Sequence, residues 1–316
     1  MTVHAQTIPQ ADQKEHLMTI HQDTRNDPYY WMRLTDQQKT AKKPDAHTKQ
    51  VLDYIDQENQ YTQQKLAHTE KLQAKLFKEM TARLQKDKTS VPYQFKGYMY
   101  YHRYEKGKEY RIHYRKKLNS QQEEILLDEN ELAKGHKFFK LGVLRVSPNQ
   151  QWIAYTTDTV SRNQYQLHFK NLKSKQTLNY HIGPVRGNVA WANDNQSIFY
   201  TTINPTTLLS EKIWRHQLHS NPTQDTLVYT EKDSSFYIGV TRSKSGKFIV
   251  IWNESTQVSD YHLLSADQPK GDFKQFTPRS ADHLYQIAHD GNQFYIISNH
   301  KALNSKLMVE MIKILT

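Results

Sequence analysis

The chain has 316 residues, enough for one large domain or two ordinary ones, and 36% of them are hydrophobic. The mean hydropathy of −0.88 is low, but 20 Tyr, 11 Phe and 5 Trp supply the apolar area that a folded core needs. The absence of cysteine excludes disulfides and zinc–thiolate sites. The sequence has no signal-like segment and no run long enough to cross a bilayer, so we expect a cytoplasmic protein without a membrane partner.

The net charge of +11 comes mainly from one part of the sequence. Residues 91–180 hold 16 basic and 8 acidic residues. The basic residues concentrate around Lys106, Lys108, Arg111, Arg115, Lys116 and Lys117. Such a patch is compatible with binding to nucleic acid or an acidic partner. We favour a solvated hairpin end of mixed charge and expect no nucleic-acid partner, because acidic residues share the stretch: Glu105, Glu109, Glu123 and Glu124.

The N-terminal region is predicted to be largely helical. Residues 1–26 show no periodic pattern and predict an irregular arm, which is followed by the aromatic anchor DPYYW. The polar residues 35–44 predict a loop. From residue 45 to about residue 85, apolar residues recur every three or four positions, which predicts two amphipathic helices. Asp45 is the expected N-cap of the first helix, and Thr69, followed by Glu70, is the expected cap of the second.

After residue 90 the helical period disappears and a strand signature recurs. It consists of a turn rich in Ser, Asn, Asp, Gly or Lys, followed by four mostly β-branched or aromatic residues. The second positions of the apolar runs are spaced by 54, 45, 51 and 46 residues, at Met99, Ile153, Ile198, Ile249 and Tyr295. Spacings of this size between strands predict the blades of a β-propeller. Too few residues follow the last copy to complete another blade.

No residue can be assigned a catalytic, cofactor-binding or metal-binding role from the sequence. It has no serine elbow of the G-x-S-x-G type, and the stretch from Ser243 to Gly246 matches a turn between strands. His216 and His219 lie three residues apart in a predicted strand and its turn, a spacing that points the rings to opposite faces. We therefore interpret them as strand or surface histidines and predict no metal site and no cofactor.

Several long stretches, in the same order, resemble one family. They include HLMTIHQDTRNDPYYWMR, VLDYIDQENQYT, SVPYQFKGYMYYHRYEKGKEYRIHYRK, LLDENELAKGHKFFKLGVLRVSPNQQWIAYTTD and HDGNQFYIISNHKALN. Together they resemble the N-terminal half of oligopeptidase B, in the prolyl oligopeptidase family of serine peptidases. Two features depart from the resemblance: Arg111, where the family usually carries proline, and residues 309–316, which do not align.

The resemblance implies a mainly β fold with a helical N-terminal arm. Residues 1–89 would form the arm, which in the family packs on an α/β-hydrolase domain. Residues 90–316 would form an incomplete seven-bladed type of propeller, with about four blades and the start of a fifth. The family's Ser, Asp and His triad and its residues that select Lys or Arg belong to the later half, and no position here matches them. The family is one of serine-type oligopeptidases, but we expect this chain to be inactive alone.

The resemblance favours one function and leaves two alternatives. The favoured function is the propeller portion of a peptidase that cleaves short peptides after Lys or Arg, in which the propeller gates access to the active site. Its expected partner is a C-terminal α/β-hydrolase half, and short basic peptides would be substrates of the whole enzyme. The alternatives are a stand-alone propeller-type binding module and a polyanion binder that uses residues 91–180. We favour truncation near residue 309 over ordinary divergence, and we expect marginal stability or association through exposed apolar surface.

Overall fold

The computed structural model describes residues 7–84, 87–204 and 206–311, and the chain divides into two compact units, Met1–Gln85 and Lys86–Thr316. The first unit contains β1 (Leu17–Ile20), β2 (Asp23–Asn26), a 3-10 helix (Tyr30–Met32), α1 (Asp36–Thr40), α2 (Ala46–Leu66), a second 3-10 helix (Ala67–Thr69) and α3 (Glu70–Ala82). In the described part of the chain, no helix has both the length and the apolar character needed to cross a membrane.

The N-terminal arm contains a β-hairpin that its sequence pattern does not predict. β1 and β2 form an antiparallel hairpin, so the prediction of an irregular arm up to residue 26 is wrong. His21 and Gln22 both have positive φ (53° and 67°), as a two-residue type I′ turn requires. Every residue of β2 is exposed, so no alternation of apolar and polar residues marks this strand. Residues 1–6 of the predicted arm lie outside the described residues.

The aromatic anchor DPYYW packs within the first unit. The indole N–H of Trp31 donates to the backbone carbonyl of Asp12 at 2.7 Å, and the Trp31 ring meets the Tyr54 ring edge-on at 6.5 Å. Tyr30 stacks on His16, with ring centroids 3.7 Å apart. The anchor therefore ties the N-terminal segment to α2.

A short helix, α1, replaces the loop predicted for residues 35–44. The hydroxyl of Thr35 accepts a hydrogen bond from the Gln38 backbone N–H at 3.2 Å, and the Gln38 side chain accepts one from the Thr35 backbone N–H at 3.0 Å. This reciprocal pair is a capping box. Because α1 buries none of its residues, it has no apolar face that sequence periodicity could reveal.

The two predicted helices are present, and a 3-10 helix joins them. The Asp45 carboxylate caps α2 by accepting from the Thr48 backbone N–H at 2.7 Å, and this hydrogen bond lowers the pKa of Asp45 to about 2. Thr69 precedes α3 but makes no cap, so that part of the prediction is wrong. The Thr69 backbone is already helical, whereas a capping residue is extended. Its hydroxyl donates to the Leu66 carbonyl at 2.6 Å instead.

The second unit is a succession of antiparallel meanders, which we number as blades. Blade 1 comprises β3 (Tyr93–Phe95), β4 (Tyr98–Arg103), β5 (Ile112–Lys117) and β6 (Glu123–Asp128), and α4 (Glu129–Ala133) follows it. Blade 2 comprises β7 (Lys140–Val146), β8 (Trp152–Asp158) and β9 (Tyr165–Asn171). Blade 3 comprises β10 (Ile182–Trp191), β11 (Ser197–Ile203), β12 (Ser210–Gln217), a 3-10 helix (Pro222–Gln224) and β13 (Thr226–Thr230). Blade 4 comprises β14 (Tyr237–Arg242), β15 (Phe248–Glu254), β16 (Ser259–Ser265) and β17 (Lys274–Gln275), and blade 5 comprises β18 (Tyr285–Asp290), β19 (Gln293–Ser298) and β20 (Lys306–Met311).

The recurring strand signature of the sequence is the second strand of every blade. Its marker residues are Met99 in β4, Ile153 in β8, Ile198 in β11, Ile249 in β15 and Tyr295 in β19. The predicted fold class, a β-propeller array of four blades and the start of a fifth, is therefore confirmed. Blades 2 and 3 share one seven-stranded sheet, because β9 also pairs with β10, with a register shift between Ile182 and Val185.

The middle blades bury both faces of their sheets, which explains the continuous apolar runs. In blade 3, Ile198 and Tyr200 pack against blade 2, whereas Phe199 between them packs against blade 4. Alternate residues of β8 and β15 are divided between two neighbouring blades in the same way. A strand buried on one face only would instead alternate between apolar and polar residues.

The first strands of neighbouring blades approach one another closely. β10 contacts both β7 and β14, as first strands do around the axis of a propeller. A Cβ atom added to Gly239 in β14 would lie 2.3 Å from the Nδ2 atom of Asn188 in β10 and 2.4 Å from the Trp252 ring. Glycine at this position lets blades 3 and 4 pack at the observed distance.

Candidate functional site

The two histidines considered as metal ligands lie in different environments. His216, in β12, is completely buried, with its Nδ1 atom 2.7 Å from an Asp225 carboxylate oxygen and its Nε2 atom 3.0 Å from the Tyr180 hydroxyl. His219, in the following turn, has a φ of 71° and packs edge-on against Trp152. Within residues 7–84, 87–204 and 206–311, no group of three or more His, Asp or Glu side chains is placed to hold a metal ion.

The buried pair of His216 and Asp225 belongs to a polar network that the sequence did not reveal. Asp225 also accepts a hydrogen bond from the Tyr200 hydroxyl at 2.8 Å. Burial, followed by this hydrogen bond, raises the pKa of Tyr200, so its hydroxyl stays neutral and remains a donor. Both ring nitrogens of His216 have partners and the ring is 0% exposed. The network therefore holds β11, β12 and the start of β13 together and does not reach a substrate.

The stretch from Ser243 to Gly246 forms a turn between β14 and β15, as predicted. The Ser243 hydroxyl accepts a hydrogen bond from the Phe248 backbone N–H at 3.0 Å. Gly246 has a φ of 75°, a conformation in the left-handed region that glycine adopts without strain. This serine stabilises a turn and is not placed on a strand-to-helix elbow.

Much of the basic stretch in blade 1 is paired with acidic residues. Its ion pairs join Lys108 to Glu105 at 3.0 Å, Arg111 to Glu129 at 3.1 Å and Arg115 to Glu124 at 2.7 Å. These pairs agree with the predicted mixed charge of the hairpin. The prediction that the hairpin is solvated does not hold for Arg115, which is buried. Its guanidinium also donates to the Gln150 carbonyl at 2.9 Å, which brings it against blade 2.

A single arginine joins blades 3 and 4 to the segment before blade 5. Arg279 donates to Asp260 of β16 at 2.5 Å and to Glu231, after β13, at 2.6 Å. Its guanidinium lies 3.8 Å from the centroid of the Phe236 ring. Burial acts to raise the pKa of Asp260, but hydrogen bonds from its neighbours outweigh burial and the pKa is lowered. Asp260 is therefore ionised at neutral pH and fixes the arginine between blades.

The outward face of blade 5 carries a largely exposed apolar patch, with Gln293 at its edge. We use this name for Tyr295, Ile297, Leu307, Val309 and Met311. The register of β19 and β20 places Ile297 opposite Leu307 and puts all five residues on one face of the sheet. Ile297 is 53% exposed and Leu307 67%. The alternate residue Phe294 is 2% exposed because it packs against blade 4. Exposed apolar surface of this kind marks a site of interaction.

The outward face of blade 1 is covered by its own polar side chains. We use this name for Tyr101, Arg103, Ile112, Tyr114, Glu123 and Ile125. Tyr101 and Tyr114 stack at 5.6 Å and are 7% and 5% exposed. The Arg103 guanidinium lies 4.8 Å from the Tyr114 ring centroid and pairs with Glu123 at 2.8 Å. The Tyr101 hydroxyl also donates to Glu123. This ion pair shields the aromatic rings from water.

Residues 9–313 match the family described as prolyl oligopeptidase, N-terminal beta-propeller domain. The chain belongs to this family. The match extends to residue 313, beyond Met308. The expectation that the family likeness ends before residue 309 is therefore wrong. β20 agrees with this result, because Val309 and Met311 pair in register with β19.

Relatives and solved structures cover nearly the whole chain but less than half of their own length. Dipeptidyl aminopeptidase BI of Pseudoxanthomonas mexicana is 36% identical over 310 residues, which are 93% of this chain and 42% of that protein. Protease 2 of Moraxella lacunata is 28% identical over 95% of this chain and 43% of that protein. The structure of oligopeptidase B from Leishmania major matches with a TM-score of 0.85 and 25% identity over 96% of this chain and 44% of that one. The chain corresponds to the N-terminal half of such peptidases.

Proposed function

We propose that this chain is the propeller portion of an oligopeptidase B-like serine peptidase and gates the access of short peptides to a catalytic centre in a separate α/β-hydrolase half. The observation that carries the proposal is the structural match of 96% of the chain, blade array included, to 44% of an oligopeptidase B structure. A propeller placed over an active site selects substrates by size, through its shape, and needs no catalytic side chain of its own. Peptide hydrolysis would proceed by acyl transfer to a serine of the other half, so this chain is inactive alone.

Two surfaces suit packing against the rest of such an enzyme. The outward face of blade 5 would be covered by a following blade, as blade 4 is covered by blade 5. In the first unit, α3 buries none of its residues, and the exposed side chains of Leu72, Leu76 and Met80 recur every four positions. This spacing forms an apolar stripe along the helix, which suits packing on the α/β-hydrolase half.

Two substrate preferences are candidates for the complete enzyme. Likeness to oligopeptidase B favours cleavage after Lys or Arg. The relative that is 36% identical is named a dipeptidyl aminopeptidase, which favours the removal of dipeptides from the N-terminus of a peptide. The two preferences are distinguished by comparing a peptide amide with a blocked N-terminus and arginine before the cleaved bond with a dipeptide amide whose amino group is free.

The test is to reconstitute the enzyme from two chains. This chain is co-expressed with the C-terminal remainder of a related peptidase, which carries the blades that follow blade 5 together with the α/β-hydrolase domain, and hydrolysis of both fluorogenic amides is compared with that of each piece alone. We expect activity only from the pair, and we expect the pair to spare an unfolded protein that an unprotected hydrolase half cleaves. Val309→Lys, on the outward face of blade 5, should reduce reconstitution, whereas Ile125→Lys on blade 1 serves as the matched control. Equal activity with and without this chain would refute the proposal.

A further inference from the structure

The outer strands of blades 1 and 2 enclose a cationic cleft with a volume of about 710 Å³. Blade 1 contributes β5, β6 and the hairpin between them, and blade 2 contributes β9 and the turn after it. Five basic and two acidic side chains line the cleft: Arg115, Lys116, Lys117, Lys170 and Lys175 against Glu123 and Glu124. The lining therefore has a surplus of three positive charges, although most of blade 1 balances its charges in pairs.

The strand register directs Arg115 and Lys117 of β5 towards blade 2, whereas Lys116 and its opposite residue Glu123 lie on the outward face of blade 1 and reach the cleft only from its rim. Lys117 lies opposite Tyr98, and Arg115 lies opposite Glu124, so the side chains of residues 115 and 117 share one face of the sheet. Glu124 accepts from Arg115 at 2.7 Å and from Lys175 of blade 2 at 2.6 Å. One carboxylate thus lies between two cations and balances only one of their charges.

Two further lysines add positive charge without a carboxylate partner. In the described part of the chain, neither Lys117 nor Lys170 forms an ion pair. The Lys170 ammonium donates to the neutral carbonyl of Leu126 at 3.0 Å. Burial and then the positive charge of Lys175 lower the pKa of Lys170. An anion in the cleft would offset both unfavourable effects.

We propose that this cleft binds a small polyphosphate anion. Phosphate oxygens accept charge-assisted hydrogen bonds from lysine, and Lys117 and Lys170 supply such donors. Arg115 is already bonded to Glu124 and to the Gln150 carbonyl and lies 4.4 Å from the centroid of the Tyr98 ring, so it contributes fixed positive charge beside them. The volume of the cleft lies within the range of small-molecule sites, about 300–1,000 Å³. The site is independent of the peptidase role, because it is built on outer strands and not on the first strands near the propeller axis.

The test is calorimetric titration of the full chain with sodium tripolyphosphate at moderate salt. We expect one site per chain, and we expect Lys117→Gln with Lys170→Met to weaken binding by about tenfold or more, because each lost lysine removes a charge-assisted hydrogen bond. The matched control is Lys137→Gln with Lys270→Gln, which removes the same charge from exposed positions outside the cleft. The control should bind as the unmodified chain does.

Circular dichroism of each variant reports whether it is folded. If the double variant is unstable because the Lys170 hydrogen bond is lost, the single variant Lys117→Gln is titrated in its place. We expect it to weaken binding by several-fold. Equal weakening in the cleft variant and the control would overturn the proposal in favour of general charge attraction. The absence of binding at moderate salt would also overturn it. Binding to a single-stranded RNA but not to tripolyphosphate, with loss in the cleft variant, would replace the proposal with a nucleic-acid site.

Discussion

Blades 1 and 5 both have one sheet face packed against a neighbouring blade, but they differ on the other face. On blade 1, an ion pair between Arg103 and Glu123 covers two stacked tyrosines, and Tyr101 is only 7% exposed. On blade 5, aliphatic side chains face solvent directly, with Ile297 53% exposed. The comparison shows that a sheet face can be made compatible with water by polar groups supplied from its own strands. On the outward face of blade 5, Gln293 donates a hydrogen bond to the Tyr295 hydroxyl at 2.6 Å, but no ion pair among the described residues covers the aliphatic side chains, so the composition of this face suits burial.

The largest expected effect is a difference in stability between substitutions on the two faces of β19. Phe294→Ala should reduce the free energy of unfolding of the second unit by about 3–5 kcal/mol, because Phe294 is 2% exposed and packs on Phe248 and Phe276. Ile297→Ala, on the outward face, should cost less than about 1 kcal/mol, because its side chain is half exposed. Urea unfolding followed by circular dichroism measures both variants.

Phe294→Leu is the milder variant to use if Phe294→Ala does not fold. It keeps an apolar side chain in the cluster and should rank between the two alanine variants. Similar losses for Phe294→Ala and Ile297→Ala would show that the outward face of blade 5 is buried in solution, and the contrast between blades 1 and 5 would then be wrong.

The second expected effect concerns association of the chain. The outward face of blade 5 should make the chain associate with itself as its concentration rises, because burial of apolar surface is favourable. Val309→Lys should shift the protein towards monomer, with a weakening of association by about tenfold, since it places a charge in the apolar patch. Sedimentation velocity over a range of concentrations measures the shift.

Ile125→Lys is the matched control for association. It introduces the same charge on the outward face of blade 1, where Ile125 is 46% exposed beside polar groups. We expect little change in association for this variant. A clean monomer at high concentration for the unmodified chain would contradict the prediction, and equal effects of both lysines would show that association does not depend on blade 5.

The repeat and its fold could be predicted from the sequence because both faces of the middle blades are buried. That burial requires consecutive apolar residues, as in Ile198, Phe199 and Tyr200, and the run recurs at the spacing of a blade. The hairpin of β1 and β2 and the helix α1 could not be predicted, because they are held by turn geometry and a capping box and bury almost no apolar residues. The periodicity of apolar residues reveals elements that bury one face or both, but it cannot reveal elements that stay exposed.

Polar contacts between blades could not be predicted for a different reason. Arg115 meets the Gln150 carbonyl across 35 residues, and Arg279 meets Glu231 across 48 residues. Their partners become neighbours only after the blades have packed, and one sequence gives no sign of such pairs. The cationic cleft had a partial signal, since the basic stretch around Arg115 was visible. The contribution of Lys170 and Lys175 from blade 2 was not visible.

The smallest expected effect tests the polar cover of blade 1 through pH. The hydrogen bond from Tyr101, and then Arg103, lowers the pKa of Glu123 below its ordinary value of 4.5. A carboxyl group whose pKa is lower in the folded state stabilises that state above its unfolded pKa, and this stabilisation disappears as the pH falls below 4.5 towards the lowered value. Glu123→Gln should therefore lower the stability near neutral pH by less than about 1 kcal/mol, because the group is partly exposed and screened by solvent. The difference between the variant and the unmodified chain should shrink in urea titrations as the pH falls below 4.5.

Glu131→Gln is the control, because Glu131 pairs with Lys134 on the surface and is 62% exposed. A difference for Glu123→Gln that stays constant with pH would mean that Glu123 covers the tyrosines by its shape and not by its charge.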